Sequence, residues 1–294
     1  MADRDRERLI KYLLRPNAIN AFEKFKEALS TGNNRIIEKS MAVRLLDEIL
    51  SDKDCPFAKT LQQNTILYRS RPVDFLQEPN GIDILVEDDK EKYVGYDSYS
   101  SKEPPLGSQH SARCSIEGMP YLYAAEDEYT ACAEQKIASL GIVSLASFII
   151  KKDLHIIDFS TDVKIANKWV DLQENYRLAP SSMMTLVMSG FSKPISNNDN
   201  YTTTQYITDR IRKSGFDGIA YQSYFSTKKN YAIFNCSDNN VGFLHSHLVQ
   251  VENKGYKVTT LSDDRNIQGK PVAQTADSIK ALVRGYIEDM KARR

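Results

Sequence analysis

Three separated segments of the chain each end a strand-like run with residues that can do chemistry. They are Tyr68-Arg69, the stretch from Arg113 to Glu134, and Tyr221-Gln222-Ser223 together with Asn230. The candidates taken from these segments are the arginines Arg69 and Arg113, aromatic rings, the carboxylate of Glu134, the hydroxyl of Ser223 and the amide of Asn230. This set contains no glycine-rich phosphate loop, no evident cysteine–histidine pair and no cluster of metal ligands.

This set of side chains suits a dinucleotide that carries a cationic leaving ring. Arginines hold phosphates through paired, charge-assisted hydrogen bonds. An aromatic face stacks on a cationic heterocycle, and a carboxylate stabilises an oxocarbenium-like sugar. NAD⁺ offers all three partners, and its nicotinamide departs as a neutral molecule that needs no general acid. The residues therefore indicate cleavage of a nicotinamide–ribose bond.

The single carboxylate of the set, Glu134, breaks a local rule. Acidic residues at 126–128 favour a helix N-terminus, and the helical pattern continues from there to Gly141. At about 100° per residue, Glu134 falls within the apolar arc of this helix. A carboxylate there is costly unless it is paired or faces a cleft. A functional carboxylate and a structural ion pair with an arginine both satisfy this requirement, so periodicity leaves both open.

The elements that must position these residues alternate in type along the chain. The part up to Asp54 has helical spacing in three segments, which suits either a cap on the main domain or a partner-binding arm. It holds no histidine, which argues against RNA cleavage by this part alone. The later pattern predicts strands at 65–69, 121–124, 142–150, 155–159, 217–223 and 230–235, helices over 161–214, a β-hairpin turning at 253–255 and an amphipathic helix over 276–294.

Composition excludes several classes of protein. The 39 Lys and Arg residues balance the 39 Asp and Glu residues, so we expect no nucleic-acid partner. No apolar run is long enough to span a bilayer, and the start MADRDRER lacks the apolar core of a signal peptide. Four scattered cysteines fit reduced thiols, so we expect a cytoplasmic protein without a membrane partner. His245 and His247 share a strand face but lack further metal ligands nearby.

The sequence resembles the RES-domain family, toxins named for their Arg, Glu and Ser residues. The most specific matches are LYR at 67–69, YLYAAEDEYTACAE at 121–134 and GFDGIAYQS…NYAIF over 215–234. The likeness covers 65–251, although 161–204 aligns poorly. It implies an α+β fold, with an ADP-ribosyltransferase-like core of split antiparallel or mixed sheet and flanking helices. Together with the helical patterns at the two ends of the chain, it predicts a helical region at 1–58, an NAD-binding catalytic domain at 59–261, and a linker with a C-terminal helix at 262–294.

The resemblance also implies roles for six residues. By position, Arg69, Tyr123 and Glu134 are the catalytic residues, and the substrate-binding residues are Arg113, Ser223 and Asn230. The chain departs from the family around Arg113. It has Ser-Ala-Arg-Cys-Ser at 111–115 where the family usually has a Gly-Gly-Arg-Phe-Asn-like segment. Of the six assignments, the substrate-binding role of Arg113 therefore depends most on the structure of the surrounding loop.

The implied activity is that of an NAD⁺ glycohydrolase or phosphorylase, which consumes NAD⁺ and needs no metal or other cofactor. The resemblance further implies toxicity to the host cell and a neutralising antitoxin or trigger protein. Two alternatives keep the same pocket: an ADP-ribosyltransferase that modifies a macromolecule, and a module that binds NAD⁺ or ADP-ribose without turnover. The apolar stripe from Ile279 to Met290 predicts packing on the main domain, a homo-oligomer contact or a partner contact.

Overall fold

A computed structural model of the chain describes the elements that carry the six residues. The described residues are 16–52, 55–73, 86–87, 92–93, 95–102, 112–115, 119–135, 141–160, 180–193, 201–252, 257–260 and 265–266. Within these ranges no helix has both the length and the apolar character to cross a bilayer. Trp169 and the predicted C-terminal helix lie outside them.

The chain divides into two compact units. The first unit comprises Met1–Thr60, His110–Met119 and Leu154–Tyr224, and the second comprises Leu61–Gln109, Pro120–Asp153 and Phe225–Arg294. The division into regions 1–58, 59–261 and 262–294 stays a prediction.

The described part of the first unit has three helices near its N-terminus: α1 (Pro16–Ser30), α2 (Asn34–Lys39) and α3 (Met41–Ser51). The sequence predicted one helical segment where α2 and α3 lie. The segment breaks at Ser40 because this residue is extended (φ −65°, ψ 146°) and its Oγ accepts a hydrogen bond from the Val43 amide, which caps α3.

The sheet of the first unit has the strand order β1 (Ala58–Leu61), β7 (Leu154–Asp158), β8 (Gly218–Gln222). Strands β7 and β8 are parallel, with Ile156 opposite Gly218. A parallel pair needs a crossover connection, and α6 (Pro180–Ser192) and α7 (Thr202–Lys213) lie in it. Gly215, at φ +90°, ends α7 as the sequence predicted.

The second unit is built on antiparallel strands in the order β9-β5-β2-β6-β10-β11, with β12 paired to β10. The strands are β2 (Ile66–Pro72), β5 (Leu122–Ala125), β6 (Gly141–Ile150), β9 (Lys229–Ile233), β10 (Val241–Glu252), β11 (Lys257–Thr260) and β12 (Arg265–Asn266). A separate pair joins β3 (Val86–Glu87) to β4 (Lys92–Tyr93). The β10–β11 pairing confirms the two strands of the predicted hairpin, and the predicted turn at 253–255 lies outside the described residues.

Among the described residues of the second unit, two short helices accompany the sheet: α4 (Ser98–Lys102) and α5 (Glu128–Ala133). The prediction that α5 continues to Gly141 was wrong, because the helix ends at Ala133 and Gly141 opens β6. The Gln135 amide bonds to the carbonyl oxygen of Cys132 at 3.2 Å, a tightened last turn that ends the helix. The predicted fold class, α+β with a mixed sheet core and flanking helices, is confirmed.

Candidate functional site

A carboxylate and an amide meet in the second unit. The Nδ2 atom of Asn230, on β9, donates a hydrogen bond to Oε1 of Glu134 at 2.7 Å. Asn230 is only 5% exposed, whereas Glu134 is half-buried. The carboxylate is therefore held in place by a buried donor while part of its surface stays accessible.

Glu134 owes its position to helix α5. Asp127 caps the start of the helix through a hydrogen bond from the Thr130 amide to Oδ1 at 2.7 Å. Glu134 is the C-cap residue, and its amide donates to the Thr130 carbonyl oxygen at 3.1 Å. A negative charge at a helix C-terminus is disfavoured by roughly 0.3–1 kcal/mol. The hydrogen bond from Asn230 offsets this cost, so the pair stabilises a charge that the helix alone opposes.

Helix α5 is anchored to strand β2 at one residue. Ser70 Oγ donates to the Ala131 carbonyl oxygen at 2.6 Å, and Gln135 Nε2 donates to the Ser70 carbonyl oxygen at 2.8 Å. Cys132 is fully buried in the apolar cluster beneath the helix, and this burial raises its thiol pKa to about 12. The thiol is neutral at physiological pH, so it serves as packing and not as a nucleophile.

Strands β2 and β5 separate beside this anchored helix. They share one residue pair, Tyr68 opposite Ala125, and Ala125 in turn lies opposite Asn230 on β9. Arg69 is the residue of β2 that follows this pair. Tyr123 lies two residues before Ala125 on β5, and its side chain is half-buried. Four predicted site residues therefore lie around the point where the two strands part: Arg69, Tyr123, Glu134 and Asn230.

Arg69 already has protein partners. Its Nη1 donates to the carbonyl oxygens of Ser101 at 2.6 Å and Lys102 at 2.8 Å, at the C-terminal end of α4. Burial lowers the pKa of Arg69 to about 10, and the charge of Arg71 adds to this effect. The guanidinium is thus still a cation at neutral pH, and the helix C-terminus favours that charge.

Alternation along β2 directs Arg69 to a different face from its neighbours. Tyr68 packs against the cluster beneath α5, and Ser70 bonds to that helix. Because successive strand residues point to opposite faces, Arg69 leaves β2 on the face of α4. The structure therefore brings Glu134 and Asn230 into direct contact, while it binds Arg69 to a separate helix.

The remaining two predicted residues belong to the first unit. Nη1 of Arg113 donates to the Gly190 carbonyl oxygen at 2.8 Å. Its Cζ lies 5.8 Å from the ring centroid of Tyr201 and 5.9 Å from that of Tyr221. Two aromatic rings and one carbonyl thus surround the guanidinium. Ser223 directly follows β8 and is 4% exposed.

Several side chains that shape the site were not singled out from the sequence. Ser70 and Gln135 act through backbone carbonyls, which have no sequence signature. Asp127, by contrast, belongs to the acidic residues at 126–128 from which the sequence predicted the helix N-terminus, and it is the N-cap. No three His, Cys, Asp or Glu side chains gather as metal ligands in the part of the chain that the structure describes.

Comparison with known proteins assigns the family. The RES domain model matches residues 88–249, more than half of the chain. The chain belongs to the RES-domain family. Five of the six predicted site residues lie within this RES match: Arg113, Tyr123, Glu134, Ser223 and Asn230. Arg69 and helices α1 to α3 precede it.

One solved structure similar to this RES-domain chain is the crystal structure of the M. tuberculosis MbcT–MbcA toxin–antitoxin complex. The two chains are 10% identical, the TM-score is 0.38, and the alignment covers 70% of this chain and 90% of the other. None of the curated proteins matches the sequence.

Proposed function

We propose that this RES-domain protein cleaves the nicotinamide–ribose bond of NAD⁺ with water as the acceptor. The observation that carries the proposal is the half-buried carboxylate of Glu134, held by the buried amide of Asn230 at 2.7 Å. The family resemblance, in which members degrade NAD⁺, supports the choice of substrate. The products are nicotinamide and ADP-ribose.

In this reaction positive charge develops on the ribose, and a carboxylate can stabilise that charge. The bonding electrons leave with the cationic nicotinamide ring, which departs neutral, and positive charge develops on the ribose. The Glu134 carboxylate stabilises this oxocarbenium-like sugar and hydrogen-bonds to its hydroxyl groups. Water then forms the new bond to the anomeric carbon and releases one proton to solvent. Such an electrophile needs little activation of its nucleophile, so the mechanism uses no second carboxylate.

The other predicted residues take binding roles in this proposal. Tyr123 contacts the nicotinamide ring or the adjoining ribose, and Ser223 and Asn230 complete the contacts to sugar and amide. Arg69 and Arg113 hold the phosphates. Among the described residues, only Nη1 of Arg69 is hydrogen-bonded, so its other guanidinium nitrogens are the ones assigned to phosphate.

The proposal extends to the cell that makes the protein. NAD⁺ loss stops growth, and the RES resemblance implies a neutralising antitoxin or a trigger protein that restrains the activity. We therefore propose that expression of the chain alone lowers cellular NAD⁺ and arrests growth, with NAD⁺ as the consumed substrate and no other cofactor.

Incubation of purified protein with NAD⁺, followed by chromatographic identification of the products, tests the proposal. Equal amounts of nicotinamide and ADP-ribose support it. A rate that rises steeply with phosphate, with phosphorylated ADP-ribose as product, overturns water as the acceptor. Label transferred from NAD⁺ to a macromolecule in host lysate identifies a transferase instead. Binding of NAD⁺ without its loss identifies a binding module.

A further inference from the structure

Helix α7 of the first unit is bound to the N-terminal helices by a network of charged side chains. Arg210 Nε donates to Asp47 Oδ1 at 3.0 Å, and Nη2 bonds to the other oxygen of the same carboxylate. Arg210 Nη1 also donates to Glu38, at 2.9 Å and 3.1 Å to its two oxygens. One guanidinium thus joins α7 to both α2 and α3, in the two-point geometry that arginine favours with carboxylates.

A second residue of α7 supports the same contact. The Tyr206 hydroxyl donates to Glu38 Oε1 at 2.8 Å, and its ring packs edge-on against Phe25 of α1, 5.7 Å between centroids. Burial and the bond to Glu38 raise the pKa of Tyr206, so the hydroxyl stays protonated and remains a donor. All three N-terminal helices therefore contact α7 through two of its residues.

The other end of α7 holds the loop that carries Arg113. Thr204 Oγ1 donates to the Arg113 carbonyl oxygen at 2.6 Å. Gln205 Nε2 donates to the carbonyl oxygens of Ala112 at 2.9 Å and Ser115 at 3.0 Å. The loop closes on itself through the Ala112 amide, which donates to the Ser115 carbonyl oxygen at 2.9 Å. Two adjacent side chains of α7 thus fasten the whole loop.

A cavity adjoins these contacts. Its volume is about 850 Å³, and its lining includes Gly190 and Thr204, the two residues that bond to Arg113. Helix α1 lines another part of it, with Glu23 and Lys24 among its residues. The N-terminal helices therefore reach the surroundings of Arg113 in two ways, as part of a cavity lining and through α7.

We propose that Arg210 is a positioning residue for Arg113. Thr204 and Arg210 are six positions apart, which is about 9 Å along a single helix. Such a rigid element carries a restraint from one end to the other. Arg210 holds α7 against α2 and α3, and α7 in turn holds the 112–115 loop at the place where Arg113 binds substrate. This last step rests on the proposed function, in which Arg113 binds NAD⁺. The role of the N-terminal helices is then to support a binding loop of the first unit.

Hydrogen exchange of the free protein tests the restraint without any substrate. The variants are Arg210→Gln and Asp47→Asn, which change the net charge in opposite directions but break the same contact. Both should speed exchange of the Ala112 amide by about three- to tenfold, the size expected for members of one network. Lys228→Gln, which removes an exposed ion pair with Glu126 in the second unit, is the control and should leave this exchange unchanged.

The outcomes separate the two proposals. Unchanged exchange at 112–115 in both variants overturns the positioning role, and so does a uniform increase along the chain, which marks a general loss of stability. The KM for NAD⁺ should rise about three- to tenfold with little change in kcat, and Arg210→Lys should restore part of the loss. Faster exchange with unchanged KM also overturns the role. If the wild-type protein does not consume NAD⁺, the exchange result still decides the restraint, and only the proposed function fails.

Discussion

The amide of Asn230 donates to the carboxylate of Glu134 at 2.7 Å, although 96 positions separate the two residues in the chain. Asn230 lies in a buried strand, and Glu134 lies at the C-terminal end of a short helix that opposes its charge. A negative charge kept at a place where the local backbone disfavours it is a feature more typical of function than of stability.

The first prediction concerns the charge of Glu134. Glu134→Gln keeps the side-chain shape and an oxygen that accepts from Asn230, but removes the negative charge. Turnover of NAD⁺ should fall about a hundredfold or more, because the transition state loses its charge stabilisation. The melting temperature should hold or rise, since an unfavourable charge has been removed. Turnover and melting temperature are measured on the same preparation of the variant.

Glu128→Gln makes the same chemical change on the exposed first turn of the same helix and is the matched control; it should retain wild-type turnover. If Glu134 were only a structural partner, Glu134→Gln would lose stability, with activity lost in proportion to unfolded protein. A Glu134→Gln protein that has the wild-type melting temperature and consumes NAD⁺ at the wild-type rate would contradict the mechanism.

The second prediction concerns Asn230 and its coupling to Glu134. Asn230→Ala removes a hydrogen bond to a charged group, so turnover should fall about 10- to 100-fold. The double variant with Glu134→Gln should lose little more than Glu134→Gln alone, because both act on the same carboxylate. Asn235→Ala, on the exposed turn after β9, is the control. Fully additive losses would contradict a shared role.

The third prediction concerns the anchor of α5. Ser70→Ala leaves the Ala131 carbonyl, one of the last four of its helix, without its buried donor. The free energy of unfolding should fall by about 1–3 kcal/mol, measured by urea denaturation with an unchanged slope. Ser30→Ala removes a similar hydroxyl–carbonyl bond at an exposed helix end and should change it by less than about 0.5 kcal/mol. Equal losses in the two variants would contradict the anchor.

The fourth prediction concerns pH. The hydrogen bond from Tyr206, with that from Arg210, lowers the pKa of Glu38 below its ordinary 4.5. The folded chain therefore takes up this proton at lower pH than the unfolded chain. The stabilisation is complete above pH 4.5 and is lost as the pH falls below it. The melting temperatures of Glu38→Gln and wild type should differ at pH 7 and converge as the pH falls below 4.5.

Tyr206→Phe keeps the ring that packs on Phe25 and removes the hydroxyl, so it tests the cause assigned to the Glu38 shift. It should remove only part of the pH-dependent stabilisation by Glu38, because the hydrogen bond from Arg210 remains. A melting difference between Glu38→Gln and wild type that persists in acid would show that the carboxylate acts through packing and not through its charge.

Local patterns in the sequence determined most of the elements. The apolar run at 142–150 predicted the buried strand β6, and helical spacing predicted α1. These two predictions succeed because β-branched content and apolar periodicity are properties of a single element. The chemistry of the segments around Arg69, Arg113 and Glu134 also indicated NAD⁺ without any structure. The match of the RES model to 88–249 supports the family that these motifs suggested.

Only the tertiary structure decided which partner each polar group has. Nothing local reveals that Glu134 meets Asn230, that Arg69 bonds to the end of α4, or that Arg113 bonds to Gly190. The extent of α5 was mispredicted for the same reason. In the sequence, Ile137, Ala138 and Leu140 continue the helical pattern, but the bonds of Ser70 and Gln135 join β2 to the end of the helix at Ala133. Periodicity reports which face of a segment is apolar, whereas a hydrogen bond between distant segments depends on how the whole chain packs.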